Sequence, residues 1–105
     1  MNVLEEMPTG LGGRWVLVEY ENNFYGYGYE QDLHRLSGFP VNQCGTRDEV
    51  LAHCRSIKKL CTQNIEKYQK ELEKEKRNPN GWELLIGHEK KELEMLTKFE
   101  SILSC

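Results

Sequence analysis

The chain of 105 residues lacks a long apolar run. No stretch approaches the about 20 consecutive apolar residues that a membrane-spanning helix needs. The first residues, Met1 to Pro8, also lack the basic region and apolar run of a secretory signal peptide. We therefore expect a cytoplasmic protein that does not insert into a membrane.

The chain also lacks the short motifs of common active sites. No serine stands in a G-x-S-x-G context, and the glycines at 10–13 precede a predicted strand rather than a helix. His88 and Glu89 begin like the zinc motif H-E-x-x-H, but Glu92 stands where the second histidine is required. We favour a solvated helix face for these residues. The alternative is a metal ion shared by His88 and Glu92. We therefore expect a protein that is not an enzyme and that binds no cofactor.

The cysteines include no C-x-x-C pair. Cys54 and Cys61 are seven residues apart on a predicted helix. Their separation of about 10 Å along the axis is too long for a disulfide. His53 points about 100° away from Cys54 around that helix, so a zinc site is less favoured than ordinary core packing. We predict free thiols at Cys44, Cys54, Cys61 and Cys105, and folding that needs no metal.

The chain also lacks an excess of basic over acidic residues. The formal net charge is −3, which argues against a non-specific nucleic-acid binder because such proteins need a basic surface. Charged residues make up 30% and apolar residues 38% of the chain, as in a globular protein with much exposed helix. The length favours a single domain over residues 1–105.

Within this domain, residues 1–13 end in a proline and several glycines and predict an irregular arm. Residues 14–45 contain two segments rich in β-branched and aromatic residues, 15–20 and 24–29, which predict a β-hairpin. A two-residue turn at Asn22 and Asn23 would pair Val18 with Tyr27 and put the valines and tyrosines on one face. A turn longer by one residue would change this register.

The region between the hairpin and the first long helix is harder to interpret. Residues 32–36 predict a short helical turn, and residues 39–44 a short third strand. Pro40 would confine that strand to an edge of the sheet.

Residues 46–105 predict a long antiparallel helical hairpin. Thr46 and Glu49 fit a capping box at the start of the first helix. Asn78, Pro79, Asn80 and Gly81 end that helix and begin the second one. The first apolar stripe contains Val50, Cys54, Ile57, Cys61, Ile65, Tyr68 and Leu72. The second contains Trp82, Leu85, Ile86, Leu93, Leu96, Phe99 and Leu103, widened by Leu84, Met95 and Ile102.

Helices of this length outreach a small sheet, so apolar residues near the hairpin tip have few partners. This surplus predicts a non-enzymatic protein-binding module and a homodimer. A small acidic chain without an active-site motif is typical of regulators or inhibitors among phage and mobile-element accessory proteins, including inhibitors of host defence nucleases. The predicted partner-binding residues are Phe24, Tyr25, Trp82, Lys74, Lys76 and Arg77.

The alternative is a nucleic-acid-binding protein. Tyr25, Tyr27 and Tyr29 alternate along one strand and could form a platform on which bases stack. A local basic patch would then contact phosphate through Arg14, Arg35, Arg55, Lys58 and Lys59. The competing interpretation, which we favour, is that these tyrosines pack in the core.

Overall fold

The computed structural model of the protein describes residues 2–33, 39, 43–75 and 80–104. These residues form strands β1 (Asn2–Pro8), β2 (Arg14–Tyr20) and β3 (Phe24–Tyr29), helix α1 (Glu30–Leu33), strand β4 (Cys44–Thr46), and helices α2 (Arg47–Lys74) and α3 (Asn80–Leu103). The strands build one antiparallel sheet in the order β1-β2-β3-β4. The predicted α+β architecture with a long helical hairpin is confirmed.

The prediction of an irregular arm over residues 1–13 is wrong. Asn2–Pro8 form a strand that pairs with β2 and buries Met7 in the core. The turn that follows is organised by Thr9, whose Oγ1 accepts hydrogen bonds from the backbone N–H groups of Leu11 (3.1 Å) and Gly13 (3.3 Å). Pro8 therefore ends β1, where it pairs with Arg14, and the glycines that follow belong to a tight connection between two paired strands.

The hairpin of β2 and β3 is confirmed, but its predicted register is wrong by one residue. Tyr20 pairs with Phe24, so the turn has three residues, and both asparagines in it adopt positive φ. Because strand side chains alternate between faces, this shift changes which residues of β2 accompany the tyrosines. Tyr27 pairs with Leu17 rather than with a valine. The core against the helices contains Trp15, Leu17, Tyr25 and Tyr27 from these two strands.

A further strand at the sheet edge is present, but it lies later in the chain than predicted. Strand β4 covers Cys44–Thr46 and pairs with β3. Pro40, on which the edge position was argued, lies outside the described residues. The predicted helical turn at 32–36 overlaps α1, which begins directly after β3 and is described as far as Leu33.

Helix α2 begins as predicted. Thr46 accepts a hydrogen bond from the backbone of Glu49, and the Glu49 side chain accepts one from the backbone of Thr46. The two long helices are antiparallel, since Lys58 near the sheet pairs with Glu100 (3.2 Å) while Tyr68 packs on Trp82 farther along. In the described part of the chain, no helix combines the length and hydropathy of a membrane-spanning segment.

The sheet is covered on both faces. The main core lies between the sheet and the two helices and includes Cys54, Cys61, Leu96 and Phe99. A smaller cluster on the outer face consists of Val16, Val18 and Phe39. The valines are thus buried as expected, but on the face opposite to the buried tyrosines.

Candidate functional site

The helical hairpin continues well beyond the sheet. The molecule measures 53 × 26 × 20 Å, and its long dimension reflects these helices. Ile57 on α2 and His88 on α3 lie beside the last sheet residues: Ile57 lines a cavity with Tyr29, and the His88 ring lies 6.4 Å from Trp15. From Ile57, α2 runs about 25 Å further to its end. We call residues 60–74 and 80–87 the distal hairpin.

Apolar contacts between its two helices hold the distal hairpin together. The rings of Tyr68 and Trp82 lie 5.8 Å apart, and Ile86 is buried. Ile65 and Leu72 are half-buried. The contact between Tyr68 and Trp82 agrees with the expectation that apolar residues near the hairpin tip have few partners other than one another.

Three leucines of the distal hairpin remain open to solvent. Leu60 is 50% exposed, Leu84 75% and Leu85 44%. Each of them lies on the side of its helix that, nearer the base of the hairpin, faces the sheet. Leu60 is seven residues after His53, and Leu85 is seven before Glu92, so Leu60 is rotated only about 20° around the helix from His53, and Leu85 only about 20° from Glu92. Leu84 stands in the same relation to Met95, eleven residues later.

His53, Glu92 and Met95 all line the cavity beneath the sheet. The sheet covers this helix face at the base of the hairpin. At Leu60, Leu84 and Leu85 the described residues leave much of the same face open to solvent. We call these three residues the leucine surface.

The aromatic residues predicted to bind a partner divide into three environments. Phe24 is exposed at the hairpin turn, and Trp82 is half-buried against Tyr68. Tyr25 was expected at the solvent-facing tip, and this placement is wrong because the residue is only 5% exposed and belongs to the main core. Its hydroxyl donates a hydrogen bond to Glu19 (2.9 Å).

The predicted basic partner-binding residues lie where α2 ends. Lys74 is the last residue of α2 and is exposed. Lys76 and Arg77 fall outside the described residues. Their part in a binding surface stays a prediction.

The tyrosine strand does not present a row of rings to solvent. Tyr25 and Tyr27 are buried, and Tyr29 is partly exposed, so two of the three rings are unavailable for stacking on bases. In the proposed basic patch, Arg14 pairs with Glu6 and Lys58 with Glu100. Arg55 and Lys59 are exposed, and Arg35 lies outside the described residues.

A small cavity lined by both polar and apolar side chains lies between the sheet and the helices. Its volume is about 150 Å³, and its wall includes Trp15, Tyr27, His53 and Glu92. A hydrogen bond of 2.6 Å joins the Tyr27 hydroxyl to His53 Nδ1. Burial raises the pKa of Tyr27 and lowers that of His53, so both groups favour their neutral forms.

Beside this cavity, three possible metal ligands meet between α2 and α3. The Cys61 sulfur and one carboxylate oxygen each from Glu89 and Glu92 lie within 4.8 Å of one another. Burial, with a hydrogen bond to Glu89, raises the pKa of the Cys61 thiol to about 12. Burial and the neighbouring Glu89 raise the pKa of Glu92 as well. His88 Nε2 is 3.8 Å from the Glu92 carboxylate.

Sequence reasoning missed this cluster because it considered each helix separately. Cys61 was assigned to the core, and Glu92 to a solvated face. A signal was nevertheless available: the apolar stripe of α3 is interrupted between Ile86 and Leu93, and Glu89 and Glu92 occupy that interval three residues apart.

Comparison with known proteins gives no relative: no family model, curated protein or solved structure matches this chain.

Proposed function

We propose that the protein is a non-enzymatic protein-binding module, and that the leucine surface on the distal hairpin is where it binds. The observation that carries this proposal is the exposure of Leu60, Leu84 and Leu85 on a helix face that is covered elsewhere in the same hairpin.

The leucine surface is suited to binding because the helices beneath it are already packed. Trp82 rests on Tyr68, and Ile86 is buried, so the backbone that carries Leu84 and Leu85 has an internal support. A partner that covers a leucine gains about 1.5–3 kcal/mol per fully buried side chain. Little conformational entropy is lost when the binding surface is preorganised.

The charges around the leucine surface favour a protein partner over nucleic acid. Glu66 and Lys67 on α2, and Glu83 on α3, are exposed and carry both signs. A polar rim of mixed sign around an apolar centre resembles the usual anatomy of protein interfaces. A nucleic-acid surface would need a basic excess, which the net charge of −3 does not supply.

Within this class we propose a small regulator or inhibitor that acts in the cytoplasm, of the kind that phages and mobile elements encode against host proteins, including defence nucleases. Such a protein needs no chemistry of its own, because covering a surface of its target is sufficient. We also propose that two copies pair through the leucine surface, since a patch of this kind can form an isologous contact with itself.

The binding proposal is tested by affinity capture from the native host with three baits. The first is the wild-type chain, and the second carries Leu84→Ser and Leu85→Ser. The third carries Leu11→Ser, a matched control because Leu11 is 86% exposed and lies in the β1–β2 turn. We expect one host protein to be retained by the wild type and the control and lost by the double variant, with purified components repeating the result.

Two outcomes would contradict the proposal. Equal retention by all three baits would place the binding site elsewhere, with Phe24 and the end of α2 as the next candidates. Salt-dependent binding of purified wild-type protein to single-stranded nucleic acid, without a protein partner, would favour the alternative function.

A further inference from the structure

We infer that Cys61, Glu89 and Glu92 form a binding site for one divalent cation of the zinc class, and that this cation ties α2 to α3. The three ligand atoms come from two helices and lie within 4.8 Å of one another. Glu89 and Glu92 are one helical turn apart on α3, and Cys61 faces them from α2. The site thus lies across the interface of the two helices.

The donor set selects the type of metal. A thiolate is a soft ligand that favours zinc and similar metals over magnesium or calcium, and carboxylates commonly complete such sites. Zinc–sulfur and zinc–oxygen bonds of about 2.0–2.3 Å require ligand atoms about 3.5 Å apart in a tetrahedral arrangement. Small rotations of the two glutamate side chains would bring the three atoms to that spacing.

Charge balance also favours a cation. Both carboxylates are half-buried, and Cys61 is only 2% exposed. Among the described residues, no lysine or arginine forms an ion pair with Glu89 or Glu92. A divalent cation would offset the two carboxylate charges and replace the thiol proton, which is released to solvent when the sulfur–metal bond forms.

The surroundings of Glu92 fit a metal ligand. His88 lies 3.8 Å from its carboxylate and can orient it, as partners of metal-bound carboxylates commonly do. Glu92 also lines the cavity of about 150 Å³, which gives room for a water molecule as the fourth ligand. The helices are joined independently by buried Cys54, Leu96 and Phe99, so the metal would add to a hairpin that folds without it.

The test is a titration of the reduced, chelator-treated full chain with Co²⁺, followed by absorption spectroscopy. We expect one Co²⁺ per chain, a thiolate-to-cobalt charge-transfer band in the near ultraviolet and the intense visible bands of a tetrahedral ion. Added Zn²⁺ should remove these bands by displacement and should protect Cys61 from alkylation. Zn²⁺ should also raise the unfolding temperature.

Matched variants separate this site from adventitious binding. Cys61→Ser should abolish the charge-transfer band, and Glu89→Gln or Glu92→Gln should weaken Co²⁺ binding at least tenfold. Cys44→Ser, at a half-buried free cysteine on β4, and Glu94→Gln, exposed on α3, should bind as the wild type does. If Cys61→Ser fails to fold, the Co²⁺ affinities of Glu89→Gln and Glu92→Gln decide whether this site binds the metal.

The inference is overturned if the wild type gives no charge-transfer band with millimolar Co²⁺. It is equally overturned if the band survives Cys61→Ser, or if both glutamine variants keep the wild-type affinity. None of these results bears on the leucine surface, which contains none of the three ligands.

Discussion

At the scale of single residues, the outer face of the sheet depends on the absence of a side chain at Gly26. A Cβ built there would lie 2.9 Å from the Phe39 ring, 3.1 Å from Cys44 Sγ and 3.3 Å from the Tyr20 ring. Because rings and sulfur in a packed cluster can retreat only a little, we expect Gly26→Ala to lower the free energy of unfolding by about 1–3 kcal/mol. Urea denaturation measures this change.

Gly87 provides the opposite case and serves as the control. It lies within α3, and among the described residues no atom beyond its chain neighbours and the nearby backbone of its own helix stands within 4 Å of a Cβ added there. Since alanine is a better helix former than glycine, Gly87→Ala should raise the free energy of unfolding by about 1 kcal/mol. A loss of stability in both variants would mean that the surroundings of Gly87 are not open.

The half-buried His53 makes the stability of the protein sensitive to acid. Burial lowers the pKa of His53 below its ordinary value of 6.5, so near neutrality the unfolded chain binds a proton more readily than the folded protein. The contribution of this residue to stability is therefore complete above about pH 6.5 and is lost as the pH falls through the lowered pKa.

We expect the wild type to lose more stability than His53→Gln between about pH 7 and pH 5. Urea midpoints at a series of pH values compare the two proteins. Tyr27 and Glu92 also face this cavity, but the effect of Glu92 is present in both proteins and largely cancels in the comparison. Parallel pH profiles would show that His53 titrates alike in the folded and unfolded states.

At the scale of secondary-structure elements, the sequence predicts the helices well because their signals are local. The capping box at Thr46 and the apolar period along α2 and α3 lie within a few residues, and tertiary contacts agree with them. Strand β1 was missed because its identity depends on pairing with β2. The residues of β1 alternate poorly, and its burial is concentrated at Met7.

The hairpin register shows the same dependence on non-local contacts. Two asparagines suit a two-residue turn, yet the turn takes three residues because Trp15 and Leu17 then lie on the helix side with Tyr27. Tyr25 was placed at a solvent-facing tip because it lies beside the Asn22–Asn23 turn, but the start of α2 packs there, with the Arg47 guanidinium 5.5 Å from the centre of the Tyr25 ring. Cys61, Glu89 and Glu92 could not be connected without the pairing of α2 with α3.

At the scale of the whole molecule, the elongated shape leaves the leucine surface beyond the protection of the sheet. We predict a dimer at tens of micromolar, because pairing through Leu60, Leu84 and Leu85 would remove this apolar area from water. Multi-angle light scattering should give about twice the monomer mass of 12.3 kDa. Leu84→Ser with Leu85→Ser should return the monomer mass, and Leu11→Ser should not.

A monomer mass for the wild type throughout that concentration range would contradict self-association. Because Leu84 is 75% and Leu85 44% exposed, the double variant should lose only about 1 kcal/mol of the free energy of unfolding, from the poorer helix propensity of serine, when both proteins are compared at dilutions that dissociate a dimer. A large loss of stability there would mean that these leucines support the fold.

The order of the strands has a consequence for folding kinetics. Each strand pairs with its neighbour in sequence, and α2 pairs with α3, which follows it directly. Strands β1 to β3 and the helical hairpin can therefore each form by closing short loops, which costs little entropy and is fast. Docking α3 against the start of the sheet, where Lys91 lies beside Gly10, joins parts of the chain near its two ends. This last closure, between two locally formed halves, should set the folding rate.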